Sequence, residues 1–292
     1  MPDTLLIIDL DGTIRNTPLY LKTLNQYNTQ IGGNETPLYE KPPEGYFISG
    51  AVEFLAHAVQ KGKVGLATHS TKMLTNDIRQ ALRNELVKQI TTERSLGEDE
   101  VKNVVSELLK SNFTAVTKNE IEEMKGGFKE NSKGMSPAVT MRIFKNLDLV
   151  PENINNILVV GDHSEDFQQA IWANHQLSIS TTAVILESPE VKAAIDGMRP
   201  KTSSRFGLCS STAPTHPCVI SYDEDHKEGG ELYKAKEHST RAAKKGIKFT
   251  ECNDYDEVGA IYYEGGKPNT AINIAVGNVA AKLNAGDKGI YH

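Results

Sequence analysis

The chain has 292 residues, with 32 Lys and Arg against 38 Asp and Glu, giving a formal net charge of −6 with histidine neutral. Hydrophobic residues at 38% and charged residues at 24% suit a globular chain long enough to bury a sizeable core, and exclude collagen, coiled coil and wholesale disorder. A pI near 5.8 excludes a wholly basic nucleic-acid coat protein.

No apolar run approaches the ~20 residues that a membrane span requires. Met1-Pro2-Asp3 opens neither a basic nor an apolar leader, so the expected location is the cytoplasm, with export by a route lacking an N-terminal signal left open. From Leu5 to about Leu186 short β-like runs alternate with helical stretches, the pattern of a mostly parallel α/β sheet with helices on both faces. Leu5 to Ile8 is continuously apolar, as a strand buried on both faces must be, and runs straight into Asp9. Segments 64–67, 113–116, 157–160 and 183–186 have the same character.

Between these strands, Val52, Leu55, Ala56 and Val59 fall at helical spacing, as do Val139, Ile143, Phe144 and Leu147. Segments 72–90 and 98–111 also read as helices. Residues 27–47, with Gly32-Gly33-Asn34 and Pro42-Pro43, read as a polar loop long enough to be a flap or a linker. Beyond about Met198 the stretch from Pro200 to Ser204, then Pro214 and Pro217, reads as a linker. The expected division is therefore a core over 1–198, with a small helical insert at about 90–132, and a C-terminal α/β extension or small second domain over 199–292. In that last part, strands are expected at 219–222 and 258–263 and helices at 229–245 and 270–284. Cys209, Cys218 and Cys252 are odd in number and lack CxxC spacing, so they read as buried or incidental thiols rather than a zinc site or a disulfide framework.

Three of the strands end in polar clusters, at Asp9-Leu10-Asp11-Gly12-Thr13, Thr68-His69-Ser70, and Gly161-Asp162-His163-Ser164-Glu165-Asp166. Ligands of open α/β sheets bind beyond such strand ends. An ionised carboxylate beside a hard divalent cation can attack phosphorus. A second carboxylate two residues on can protonate the leaving oxygen and then deprotonate a water. Gly12 permits the sharp turn that brings the chain back over the site. Asp162 can add a third carboxylate to a cation site, Lys133 can neutralise phosphoryl charge, and Thr68 offers a hydroxyl and a backbone N–H to a phosphoryl oxygen.

These four motifs, in this order, resemble those of a haloacid dehalogenase (HAD) superfamily phosphatase over roughly residues 4–190. The resemblance implies a Rossmann-like core with Asp9 as nucleophile and Asp11 as general acid and base. It also implies Mg²⁺ held by Asp9, the Asp11 backbone carbonyl and Asp162, with Asp166 ordering metal-bound water or the lysine, so that Asp9, Asp11, Asp162 and Asp166 form the expected metal set. Thr68, His69 and Lys133 are the expected phosphate-binding residues. The second carboxylate at Asp11, which the dehalogenase branch lacks, favours phosphoryl chemistry. The family's motif lysine usually precedes Pro, whereas Lys133 precedes Gly134, and Lys125 and Lys129 compete for its role.

Neither the stretch from Asp11 to Thr68 nor that from Val116 to Lys133 has room for a full cap domain, so the expected type is minimal-cap. Its open site could accept a small phosphate ester, a phosphoprotein or another large substrate. Nucleic acid is a less favoured partner. Phosphotransfer to an acceptor other than water, or a non-catalytic binding module on the same scaffold, are the alternatives. His69 and His163 otherwise read as rim histidines, the basic run from Lys234 to Lys248 as a solvated helix face, and Trp172 as core packing. Gly265-Gly266-Lys267 lacks the context of a phosphate-binding P-loop.

Overall fold

A computed structural model describes residues 4–21, 42–68, 75–93, 96–117, 120, 137–199, 217–230, 233, 234, 237 and 247–263. Among them six strands form one sheet: β1 (Thr4–Asp9), β2 (Lys63–Ala67), β3 (Phe113–Val116), β4 (Asn156–Gly161), β5 (Ser180–Leu186) and β6 (Lys248–Cys252). Their order is β3-β2-β1-β4-β5-β6, and every pairing is parallel. The helices are α1 (Ala51–Lys61), α2 (Asn76–Glu93), α3 (Glu98–Asn112), α4 (Pro137–Asn146), α5 (Ser164–Leu177), α6 (Pro189–Met198), α7 (Pro217–His226) and α8 (Tyr255–Tyr263).

The continuous apolar runs have a direct structural cause. Side chains alternate across a strand, so Leu6 and Ile8 enter one core with residues of α1, α2, α3 and α8. Leu5 and Ile7 enter a second core with Val139, Ile143 and Phe144 of α4 and Ala170 and Ala173 of α5. Each such Leu or Ile contributes about 1.5–3 kcal/mol by its burial, and a polar residue at any of them would forfeit that. The sheet is thus covered on both sides, as sequence periodicity predicts.

From β1 the chain winds outward through β2 to β3, then returns to the other side of β1 for β4 and continues through β5 to β6. The winding reverses between β1 and β4, and a crevice opens beyond the carboxyl ends of strands at such a point. Asp9 ends β1 and Asp162 follows β4, so topology alone places both at the crevice.

The C-terminal part differs from expectation. Residues 219–222 are not a strand: Pro217 begins α7 at a position that suits its missing N–H, and Val219 is buried while Ile220 is 50% exposed. Residues 258–263 are also helical, because Tyr255, Val258, Ile261 and Tyr262 are buried at helical spacing. Asp254 caps that helix by accepting the Glu257 N–H at 2.9 Å. The strand in this region is 248–252 instead. Its sequence, Lys-Phe-Thr-Glu-Cys, carries the polar residues of an outermost strand and little apolar signal. It pairs with β5 from Thr182–Lys248 to Leu186–Cys252, which makes it part of the same sheet. Of the expected helix at 229–245, Gly229 and Gly230 form a turn, residues 233, 234 and 237 are helical, and the rest lies outside the described residues. The expected helix at 270–284, Cys209 and most of the loop 27–47 lie outside them too, while Cys252 is buried. No helix among the described residues is long and apolar enough to cross a membrane.

Candidate active site

Asp9, Asp162 and Asp166 converge in the crevice, each offering a carboxylate oxygen within 4.8 Å of the others. Asp9 arrives on β1, Asp162 directly after β4, and Asp166 from the first turn of α5, where it accepts the His163 N–H at 3.2 Å. Two glycines make room for these acids. Gly12 has φ +85°, a conformation that disfavours other residues, and a Cβ there would fall on the Asp162 carboxylate. A Cβ on Gly161 would collide with the carboxylate of Asp166. Burial, followed by the charges of Asp166, Asp162 and Asp11, pushes the Asp9 carboxyl well above its ordinary range. Three facing carboxylates, all oxygen donors, with Asp166 buried and Asp9 and Asp162 half-buried, fit a hard divalent cation such as Mg²⁺.

The Asp11 carboxylate lies apart from that trio and has different company. The turn after β1 folds back so that the N–H groups of Ile14 and Arg15 both reach the Leu10 carbonyl, at 2.9 and 2.8 Å. Arg15, four residues beyond Asp11, therefore returns beside it, donating to Asp11 Oδ1 from Nε at 2.9 Å and from Nη2 at 2.5 Å. Its Nη1 donates to Asp77 Oδ2 at 3.0 Å, and the Tyr46 hydroxyl donates to the same oxygen at 2.5 Å. The Arg15 side chain is 0% exposed and lies over the Tyr20 ring, 3.7 Å from its centroid. Burial opposes the Arg15 charge, but Asp11 and Asp77 outweigh it and raise its pKa. Thr68, at the end of β2, donates its hydroxyl to Asp11 Oδ2 at 3.3 Å.

The expectation that Thr68 offers its backbone N–H to a phosphoryl oxygen is corrected here, since that N–H donates to the Val116 carbonyl at 3.1 Å and extends the pairing of β2 with β3. The structure thus brings together Asp9, Asp162 and Asp166, with Asp11 and Thr68 adjoining. Lys133, its competitors Lys125 and Lys129, and His69 lie outside the described residues. Trp172 packs against the second core.

Four functional-site neighbours escape a reading of the sequence: Arg15, Asp77, Tyr46 and Tyr255. The four-residue spacing of Asp11 and Arg15 was the one available signal. Tyr255, on α8, donates its hydroxyl to the Thr13 carbonyl at 2.7 Å across 242 positions of sequence. Burial, and then Asp9 and Asp162, push its pKa well up, keeping the phenol protonated as a donor.

Fold and site together define a doubly wound α/β protein with a carboxylate-lined crevice at its switch point. No family model matches the chain, and no curated protein matches it significantly. Among solved structures it is similar to a HAD-superfamily hydrolase of subfamily IA from Geobacter sulfurreducens, at 13% identity over 62% of this chain and 89% of that one, with a TM-score of 0.32. It is also similar to a haloacid dehalogenase-like hydrolase from Streptococcus pneumoniae, at 12% identity over 66% and 91%, TM-score 0.30. A third is a putative beta-phosphoglucomutase from Thermotoga maritima, at 13% identity over 65% and 91%, TM-score 0.31.

Proposed function

We propose that the chain is a HAD-superfamily enzyme, a Mg²⁺-dependent phosphomonoester hydrolase that works through an aspartyl-phosphate on Asp9. The observation that carries this reading is the convergence of Asp9, Asp162 and Asp166 within 4.8 Å beside an Asp11 whose carboxylate is held on both oxygens. Asp9, Asp162 and Asp166 would hold the Mg²⁺, which when bound offsets the negative charge of the acids and of the phosphoryl group.

In the first step an Asp9 carboxylate oxygen bonds to phosphorus as the bond from phosphorus to the ester oxygen breaks, and Asp11 gives that oxygen its proton. In the second, water attacks phosphorus, Asp11 takes its proton, and phosphate leaves Asp9. Arg15 and Thr68 orient the Asp11 carboxyl for both transfers. Lys133 is the residue proposed to bind the phosphoryl group.

The substrate is a phosphorylated molecule, either a small ester or a phosphoprotein. Hydrolysis of an aryl phosphate in Mg²⁺ is expected to be lost in Asp9→Asn and on adding EDTA, with the far-ultraviolet spectrum of the variant unchanged. Full activity in either case overturns the reading.

A further inference from the structure

A groove of about 580 Å³ leaves the crevice at Gly12 and Asp162 and continues past the carboxyl ends of β5 and β6 to α7. Its size falls within the range of about 300–1,000 Å³ usual for small-molecule sites. Adjacent strands are ~4.8 Å apart, so from β4 to β6 the groove spans ~10 Å.

Its lining mixes aliphatic residues, Leu186, Pro189 and Val191, with polar groups and the Tyr222 ring. At the far wall Tyr222 and His226 stack with ring centroids 3.8 Å apart and planes 22° from parallel. His226 Nδ1 lies 2.9 Å from the Tyr222 carbonyl, which can only accept, so that nitrogen carries the proton and the bond holds the ring against its neighbour. His226 is exposed. The pair is therefore a fixed flat platform at the groove, of the kind on which bases stack.

Hydrogen-bonding groups lie between platform and crevice. Ser188, 6% exposed, lines the groove at the start of α6, and its hydroxyl meets no hydrogen-bond partner; it makes no cap to that helix. Asn253 and Glu187 add donors and acceptors on the strand ends. Of the cations, Arg199 is taken by Asp223 at 2.6 and 2.8 Å and by Asp196 at 2.9 Å. Lys192 lines the groove without an ion pair among the described residues.

We infer that this groove is the leaving-group subsite and that the substrate is a nucleoside monophosphate, its phosphate at the carboxylates and its base on the Tyr222–His226 pair. The inference rests on the proposed hydrolase reading for the phosphate's position. Ser188 and Asn253 meet the ribose and base edges, and Lys192 draws in the dianion.

Calorimetric titration of adenosine 5′-monophosphate and ribose 5-phosphate into Asp9→Asn protein in Mg²⁺ reads binding without turnover. The nucleotide is expected to bind at least tenfold tighter than the sugar phosphate, and a further His226→Ala change to shrink that ratio by about tenfold, the scale of one base stacked on an aromatic ring. Lys192→Ala is expected to weaken both ligands alike. Wild-type hydrolysis of an aryl phosphate is measured in parallel. If the aryl phosphate is hydrolysed but the nucleotide binds no tighter than the sugar phosphate, or the ratio survives His226→Ala, the subsite assignment is overturned and the hydrolase reading stands. If the nucleotide binds through His226 yet no ester is hydrolysed, the hydrolase reading falls and the groove stands as a nucleotide-binding site alone.

Discussion

Two groups of acids meet where β1 ends, one gathered around Asp9 and the other around Asp11, and they are balanced in different ways. In the first, Asp9, Asp162 and Asp166 face one another, and Asp9 feels burial and its fellow carboxylates as an upward push on its pKa. In the second, Asp11 and Asp77 face Arg15, with Tyr46 donating to Asp77. The contrast shows how a buried guanidinium can hold one carboxylate in place for proton transfer while a neighbouring set of acids is left to welcome a cation from solution. Charge compensation, rather than the number of acids, separates an acid held for proton transfer from acids left to share a cation.

The comparison can be broken most forcefully at Asp9. Asp9→Asn is expected to lower turnover of a phosphate ester by about 10⁶-fold, the scale of losing a nucleophile. In chelator the same variant melts no lower than its parent, because one of several facing charges is gone. A marked loss of thermal stability there would mean that Asp9 is held by attraction rather than repulsion.

Arg15→Met breaks the other group. It leaves Asp77, whose side chain is 1% exposed, without its guanidinium, and a loss of about 3–5 kcal/mol in urea denaturation is expected for a buried pair severed on one side. A loss under about 1 kcal/mol, typical of surface pairs, would show that Arg15 is not the counter-charge. Mg²⁺ sharpens the contrast from outside. At one hundred times its dissociation constant it should stabilise the parent by about 2.7 kcal/mol and Asp166→Asn by much less; equal stabilisation of both would place the cation elsewhere.

A smaller effect is expected at Tyr255→Phe, which removes the bond to the Thr13 carbonyl and costs about 1 kcal/mol in denaturation, with a larger proportional loss in kcat than in KM. An unchanged kcat would separate this anchor from the catalytic loop.

The smallest effect lies outside both groups, at His57 on α1. Burial, and then Lys61, lower its pKa from 6.5 to about 4. Between those values the unfolded chain takes up a proton that the folded one refuses, so stability is whole above pH 6.5 and falls as pH drops through the window. His57→Gln should remove on the order of 1 kcal/mol of that fall by pH 5, read as the difference in urea midpoints at pH 7 and pH 5. Parallel pH profiles for parent and variant would exclude His57 as the source.

The first five strands were legible because burial on both faces demands continuous apolar runs, and 113–116 falls on β3 to the residue. Asp9, Asp162 and Asp166 were legible because each stands at or just beyond the end of such a run. The C-terminal part was not. Val219-Ile220-Ser221-Tyr222 has the composition of a strand but starts behind a helix-initiating Pro217, while β6 is an outer strand whose polar residues hide it.

What the amino-acid sequence settled without help was local: which runs cross the core and which acids hang from their ends, since both are written in neighbouring residues. Only folding could decide that Arg15 grips Asp11 and Asp77 together, that Tyr255 braces Thr13 from 242 positions away, and that β6 and α7 help wall the groove beside Asp162. Contacts of that kind join polar residues with no shared period, and the chain reveals them only once the sheet has set its strands side by side.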